Sequence, residues 1–121
     1  MSDDKAYHNA QMEKFANLLE DVVREINPEA EFSWRKMFGG AGYYADGVMF
    51  GGMYIEETIG LKLSDADCVA LLEIEGAAQG FGKNTIDIPV SMLDDKRALK
   101  EWVSKSLGYA ASRPPKKKKK K

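Results

Sequence analysis

Cysteine and histidine occur once each in the 121-residue chain, as Cys68 and His8. A single cysteine closes no intramolecular disulfide, and one residue of each kind cannot supply the ligand set of a structural zinc site. A reducing compartment is the consistent expectation. Long apolar runs are also missing. No stretch approaches the roughly 18 apolar residues of a membrane span. The start, MSDDKAYHNAQ, is acidic and polar where a secretion signal would be apolar. The chain therefore reads as cytoplasmic, with no membrane span.

Net charge is nearly absent as well: 18 Lys and Arg stand against 19 Asp and Glu, a formal −1. Its distribution is uneven. Arg113 and Lys116, Lys117, Lys118, Lys119, Lys120 and Lys121 place seven cations and no acid in residues 113–121. Residues 1–112 keep 11 cations against all 19 acids, so a body at −8 carries a tail at +7. The length fits one domain, and 44% hydrophobic content suffices for a core. Residues 1–112 are expected to form that domain. Residues 113–121, low in complexity and led by Arg113-Pro114-Pro115, are expected to remain a disordered lysine-rich tail.

Phe15, Leu18, Leu19, Val22 and Ile26 recur at steps of three and four, which predicts an amphipathic helix from Ala6 to a stop at Asn27-Pro28. From residue 32 the pattern changes to short aromatic and β-branched runs broken by glycine. Strands are expected over Ser33–Phe38, Gly42–Ala45, Val48–Tyr54 and Thr58–Leu63. Asp46-Gly47 suits a two-residue I′ hairpin turn, which would set Tyr44 opposite Met49. Ile59, Leu61 and Leu63 alternate with Thr58, Gly60 and Lys62, so one face of that strand should be buried under the first helix. Ser64 and Asp67 resemble a capping box that opens a second helix ending near Gly76, with Cys68, Val69 and Leu72 partly facing the core. A fifth strand is expected over Asn84–Ile88. A last helix, capped by Asp94 or Asp95 and carrying Leu99, Trp102, Val103 and Leu107, should stop at Gly108. The fold class that follows is α+β: a two-layer sandwich with an antiparallel sheet of about five strands, in the order α-β(3-4)-α-β(1-2)-α.

Few residues carry a chemical signal. Gly40-Ala41-Gly42-Tyr43-Tyr44-Ala45 fits a relaxed dinucleotide-binding fingerprint, but Asp46-Gly47 and another strand follow it where the phosphate-binding helix would have to begin. These glycines read as hairpin residues, and Gly51-Gly52 as a bulge or a close backbone contact. His8 reads as an exposed terminal histidine and Cys68 as a small buried hydrophobe. Glu56-Glu57 and Asp94-Asp95 have local explanations in a turn and a helix start. No catalytic residue, cofactor site or metal site is expected, and the chain does not read as an enzyme. The tail carries the sharpest electrostatic expectation. Seven cations on duplex phosphates would give a log-log salt slope of up to about −6. Arg35 and Lys36 are the best small cluster on the body for a local nucleic-acid contact.

The run Arg35-Lys36-Met37-Phe38-Gly39-Gly40-Ala41-Gly42, with the Asp46-Gly47 turn and Val48-Met49-Phe50 after it, resembles the signature of the TfoX/Sxy N-terminal domain family. Leu93-Asp94-Asp95 through Ala98-Leu99 to Trp102 resembles the closing helix of that family. The likeness extends from about Met12 to Leu107. It implies a two-layer fold of α-β(3)-α-β(2)-α type in a stand-alone N-terminal domain. By family it also implies a bacterial competence-type transcriptional co-regulator working with the cyclic-AMP receptor protein. Combined with the tail, the expectation is action through a protein partner with weak tail-driven DNA contact. A protein-binding adaptor with no nucleic-acid role is the alternative. Met37, Phe38 and the glycines are expected to shape the hairpin rather than to touch a ligand.

Overall fold

Packing of one apolar stripe organises the helical layer in the computed structural model, which describes residues 2–37 and 39–113. Helix α1 (Ser2–Ile26) buries Met12, Phe15, Ala16, Leu19, Val22 and Val23 along one side. Helix α3 (Lys96–Ala111) buries Leu99, Trp102, Val103, Ser106 and Ala110. The two helices lie against each other, α1 over strands β1 (Phe32–Met37) and β2 (Gly40–Ala45), and α3 over β3 (Val48–Ile55) and β4 (Thr58–Lys62). The buried face of β4 therefore meets α3, not the first helix as its alternation suggested, because the short β1–β2 hairpin leaves α1 over the far end of the sheet.

Among the described residues the sheet has six antiparallel strands in the order β1-β2-β3-β4-β6-β5. Four precede helix α2 (Asp65–Leu72). Two follow it, β5 (Ala78–Gln79) and β6 (Thr85–Asp87). Two-residue β5 has no periodicity to read and exists only by pairing with β6. The Asp46-Gly47 turn forms as expected, with positive φ at both residues (52° and 83°) and Tyr44 opposite Met49. The Asp46 carboxylate also accepts from the Glu31 amide at 2.9 Å, tying this turn to the start of β1.

Both helix caps form: Ser64 accepts from the Asp67 amide at 3.3 Å and Asp95 from the Ala98 amide at 3.2 Å. Three local expectations change. α2 ends at Leu72, and the residues leading to Gly76 (φ 96°) form turns closed by bonds such as that from the Ile74 amide to the Leu71 carbonyl. Cys68 and Leu71 face the core, while Val69 and Leu72 face outward. Gly108 does not stop α3, which continues to Ala111. One interior glycine costs a helix about 1 kcal/mol, and burial of Ala110 beyond it outweighs that cost. A 3₁₀ turn over Val90–Asp94 leads into α3.

Ser106 locks the two layers. A register shift between Tyr43 and Tyr44 leaves Phe50 without an opposite residue in β2, and a bulge of this kind strands backbone groups. The buried Ser106 hydroxyl lies 2.6 Å from the Phe50 carbonyl and 2.8 Å from that of Lys62, joining α3 to both β3 and β4. Ser106→Ala should lower stability by about 1–3 kcal/mol, the cost of unsatisfied buried acceptors. Urea unfolding of the variant measures this, and an unchanged midpoint would refute it.

Candidate functional site

Strand register lays a row of small residues across the face of the sheet opposite the helices. Arg35 pairs with Gly42, Gly42 with Gly52, Gly52 with Gly60, and Gly60 with Asp87. Paired residues share a face, so three glycines form a trough with Arg35 at one end and Asp87 at the other. Tyr54 fills part of the trough. A Cβ on Gly52 would come within 2.9 Å of the Tyr54 Cζ, and one on Gly60 within 2.9 Å of its Cδ2. The ring thus lies flat on the backbone, and Phe81 stacks on it at 5.6 Å between centroids and 27° between planes. Phe81 belongs to the β5–β6 loop and is 73% exposed.

Beside this stack opens a cleft of about 270 Å³, lined by Met37, Gly40, Met49, Tyr54, Lys62 and Phe81 among others. Lys62 Nζ donates to Thr85 Oγ1 at 3.3 Å on the same face. At the outer strand Arg35 lies over the Tyr44 ring, 5.3 Å from its centroid. Beside Tyr54, across Gly60, lies Asp87, 9% exposed, whose Oδ1 has no hydrogen-bond partner among the described residues. Burial pushes the Asp87 carboxyl above the ordinary aspartate range. Burial first, and then the neighbouring Asp87 and Tyr44, push the Tyr54 hydroxyl up to about 12.

Charge is sorted by layer. Among the described residues the six strands hold one acid, the nearly buried Asp87, and three cations, Arg35, Lys36 and Lys62. The other acids lie on the helices and in the connecting turns. The −8 of the body thus belongs to the helical layer and the rim. Arg35 and Lys36 do not act as a pair, because neighbours along a strand point to opposite faces: Arg35 joins the glycine trough and Lys36 the helix side. Arg113 lies at the end of α3 over Tyr109, 5.3 Å from the ring centroid, and helps line a second cleft of about 310 Å³ with Asp46. Lys116–Lys121 and Phe38 lie outside the described residues.

His8 is not a free terminal histidine. Its Nδ1 lies 2.7 Å from a Glu56 carboxylate oxygen, and its Nε2 donates to the Gly39 carbonyl. Gln11 Nε2 donates to the Glu56 carbonyl at 2.8 Å. These contacts clip α1 to the β1–β2 and β3–β4 turns. Cys68 is buried, and its Sγ donates to the Leu63 carbonyl at 3.5 Å; burial, then Asp65 and Asp67, push its thiol up, away from nucleophilic thiolate. Among the described residues no group of three or more His, Cys, Asp or Glu could hold a metal ion. Their helices include none long and apolar enough to cross a membrane.

Sequence reasoning did not find Tyr54, Phe81 or Asp87 as site residues. The outward phase of Thr58, Gly60 and Lys62 in β4 signalled this face, but only register aligns Gly60 with Gly42 and Gly52.

Helices packed on one face of an open antiparallel sheet, with an aromatic cleft on the other, define an α+β two-layer domain. The match to the TfoX N-terminal domain model over residues 25–110 shows that the chain belongs to that family, a competence-related class of regulator-like domain. The matched span begins at the end of α1, later than the resemblance in the sequence suggested. No curated protein matches the chain.

Proposed function

We propose that the chain is a TfoX-like transcriptional co-regulator of the bacterial cytoplasm, acting through a protein partner such as the cyclic-AMP receptor protein, with weak duplex contact from its tail. Membership of the TfoX N-terminal domain family carries this reading. Two features support the division of labour. The acidic helical layer disfavours a broad phosphate-binding face there, so sequence-blind contact falls to Arg113 and Lys116–Lys121. Val69 and Leu72 on the outer side of α2, with Ile74 just beyond, are 61%, 40% and 37% exposed and offer an apolar surface to a protein.

The test compares duplex binding by the full chain and by residues 1–112 across a salt series; the cut falls beyond Ala111, the last residue of α3. The full chain should bind with a log-log slope approaching about −6, and truncation should remove most of that slope. Equal slopes would sink the tail contact. A partner that co-purifies in stoichiometric amount and survives nuclease treatment, with no duplex affinity in either form, would favour the adaptor reading.

A further inference from the structure

We propose that the sheet face opposite the helices binds single-stranded nucleic acid: a base stacks on the Phe81–Tyr54 pair, Met37 and Met49 wall the cleft, and Arg35 and Lys62 meet phosphates. The inference rests on the sheet alone and needs neither the tail nor the co-regulator reading.

Charge selects an anion. Arg35 and Lys62 stand on β1 and β4, three strand spacings or about 14 Å apart. Among the described residues the one acid on the six strands, Asp87, flanks Gly60 beside Tyr54 and is nearly buried. A polyanion repelled by the helical layer is therefore admitted on this side.

Ring geometry selects a single strand. Phe81 presents the outer face of a ring whose inner face is already supported, since Tyr54 lies under it and the Gly52 and Gly60 backbone lies under Tyr54. Such a stack offers a flat apolar surface at small cost in side-chain freedom. A duplex hides the faces of its bases, whereas an unpaired base can lie on an exposed ring. The glycine trough has the same consequence: without Cβ atoms at three adjacent positions, the rings sit low enough for a cleft of about 270 Å³ to remain beside them. Phe81 is held on a short loop in which the Gln79 side-chain amide donates to the Gly82 carbonyl at 3.0 Å, so the exposed ring is presented by an ordered turn.

The experiment measures fluorescence anisotropy of a labelled 12-nucleotide oligothymidylate and of a duplex of equal length, using the full chain and its Phe81→Ala, Phe81→Tyr and Arg35→Ala variants. Phe81→Ala should weaken oligothymidylate binding by about fivefold to a hundredfold, the range for loss of one stacking ring, and leave duplex binding unchanged. Phe81→Tyr should retain wild-type affinity. Arg35→Ala should reduce the salt slope for the single strand by about 0.7. Thermal melts of Phe81→Ala matching wild type assign the loss to the face and not to unfolding. Unchanged oligothymidylate binding in Phe81→Ala, or equal losses on both ligands, would overturn the proposal. So would a shift of Phe81→Ala to a smaller species in sedimentation without loss of oligothymidylate affinity, which would make a second copy of the chain the occupant of this face. Failure here leaves the tail-truncation result untouched, so the two readings fall separately.

Discussion

Gly40→Ala is expected to be the most damaging small substitution in the family signature, lowering stability by about 3 kcal/mol or more. A Cβ at Gly40 would stand 2.1 Å from the carbonyl oxygen of Met53 and 3.3 Å from its carbon. Both atoms are backbone of the neighbouring strand, so no rotamer change relieves the clash, and β2 and β3 must separate where Ala41 pairs with Met53. Overpacking against movable side chains costs about 1–3 kcal/mol, and a rigid obstacle places this case at or above the upper end. Gly42→Ala is the comparison. Its Cβ would meet the Met37 Sδ at 2.8 Å and the Met49 Cε at 3.2 Å, the far ends of flexible chains that can swing into the cleft. With about 4–8 °C of melting temperature per kcal/mol for a domain near this size, Gly40→Ala should melt more than about 10 °C lower. Gly42→Ala should lose clearly less. Equal losses would show that the β2–β3 approach is not what demands glycine.

Asp87→Asn is expected to stabilise the domain at neutral pH, which is unusual for removal of a native charge. Burial raises the folded-state pKa of Asp87 above its ordinary value of 3.8, so the folded protein holds this proton more tightly than the unfolded chain does. The resulting stabilisation is complete below about pH 4 and is lost as pH rises through the folded-state value. At pH 7 the carboxylate is nearly buried with Oδ1 unsatisfied among the described residues. An amide keeps the shape without the charge. Each tenfold difference in proton affinity corresponds to about 1.4 kcal/mol. The variant should therefore melt higher than wild type at pH 7, with the gap closing towards pH 4. Glu25 titrates with the opposite sign. Its hydrogen bond from Lys96 comes first among the influences that hold its carboxyl below 4.5, so its contribution is present above that value and lost on acidification. Melting curves of wild type and Asp87→Asn between pH 4 and 8 separate the two. A gap that did not change with pH, or a variant less stable at pH 7, would show that Asp87 is partnered when ionised.

Asp87 also bears on why the face is built at a cost. A buried carboxylate and three aligned glycines both weaken a sheet. The glycines let Tyr54 lie flat and low, which supports Phe81 at the surface. Stability is spent where the cleft is formed, while the helix side of the same strands is packed by Tyr43, Phe50, Ile59, Leu61 and Ile86 without exposure.

The helices, the I′ hairpin and the caps were legible because each depends on residues within about four positions. The stripe Phe15–Leu19–Val22 needs no partner to be read, Asp46-Gly47 forms its turn from its own φ preferences, and Ser64 and Asp95 cap amides three residues away. The family signature was legible for the same reason, being one contiguous run. Tertiary structure alone decided what depends on distant residues. Pairing with β6 created β5, burial of Ala110 carried α3 past Gly108, and Glu56 and Gly39 captured His8. The bulges in β3 set the register that lines up Gly42, Gly52 and Gly60. The net charge of −1 shows the same division. Composition separated it into an acidic body and a basic tail, but only strand pairing, which sends alternate side chains to opposite faces, moved the acids to the helices and rim and left Arg35 and Lys62 facing an aromatic cleft.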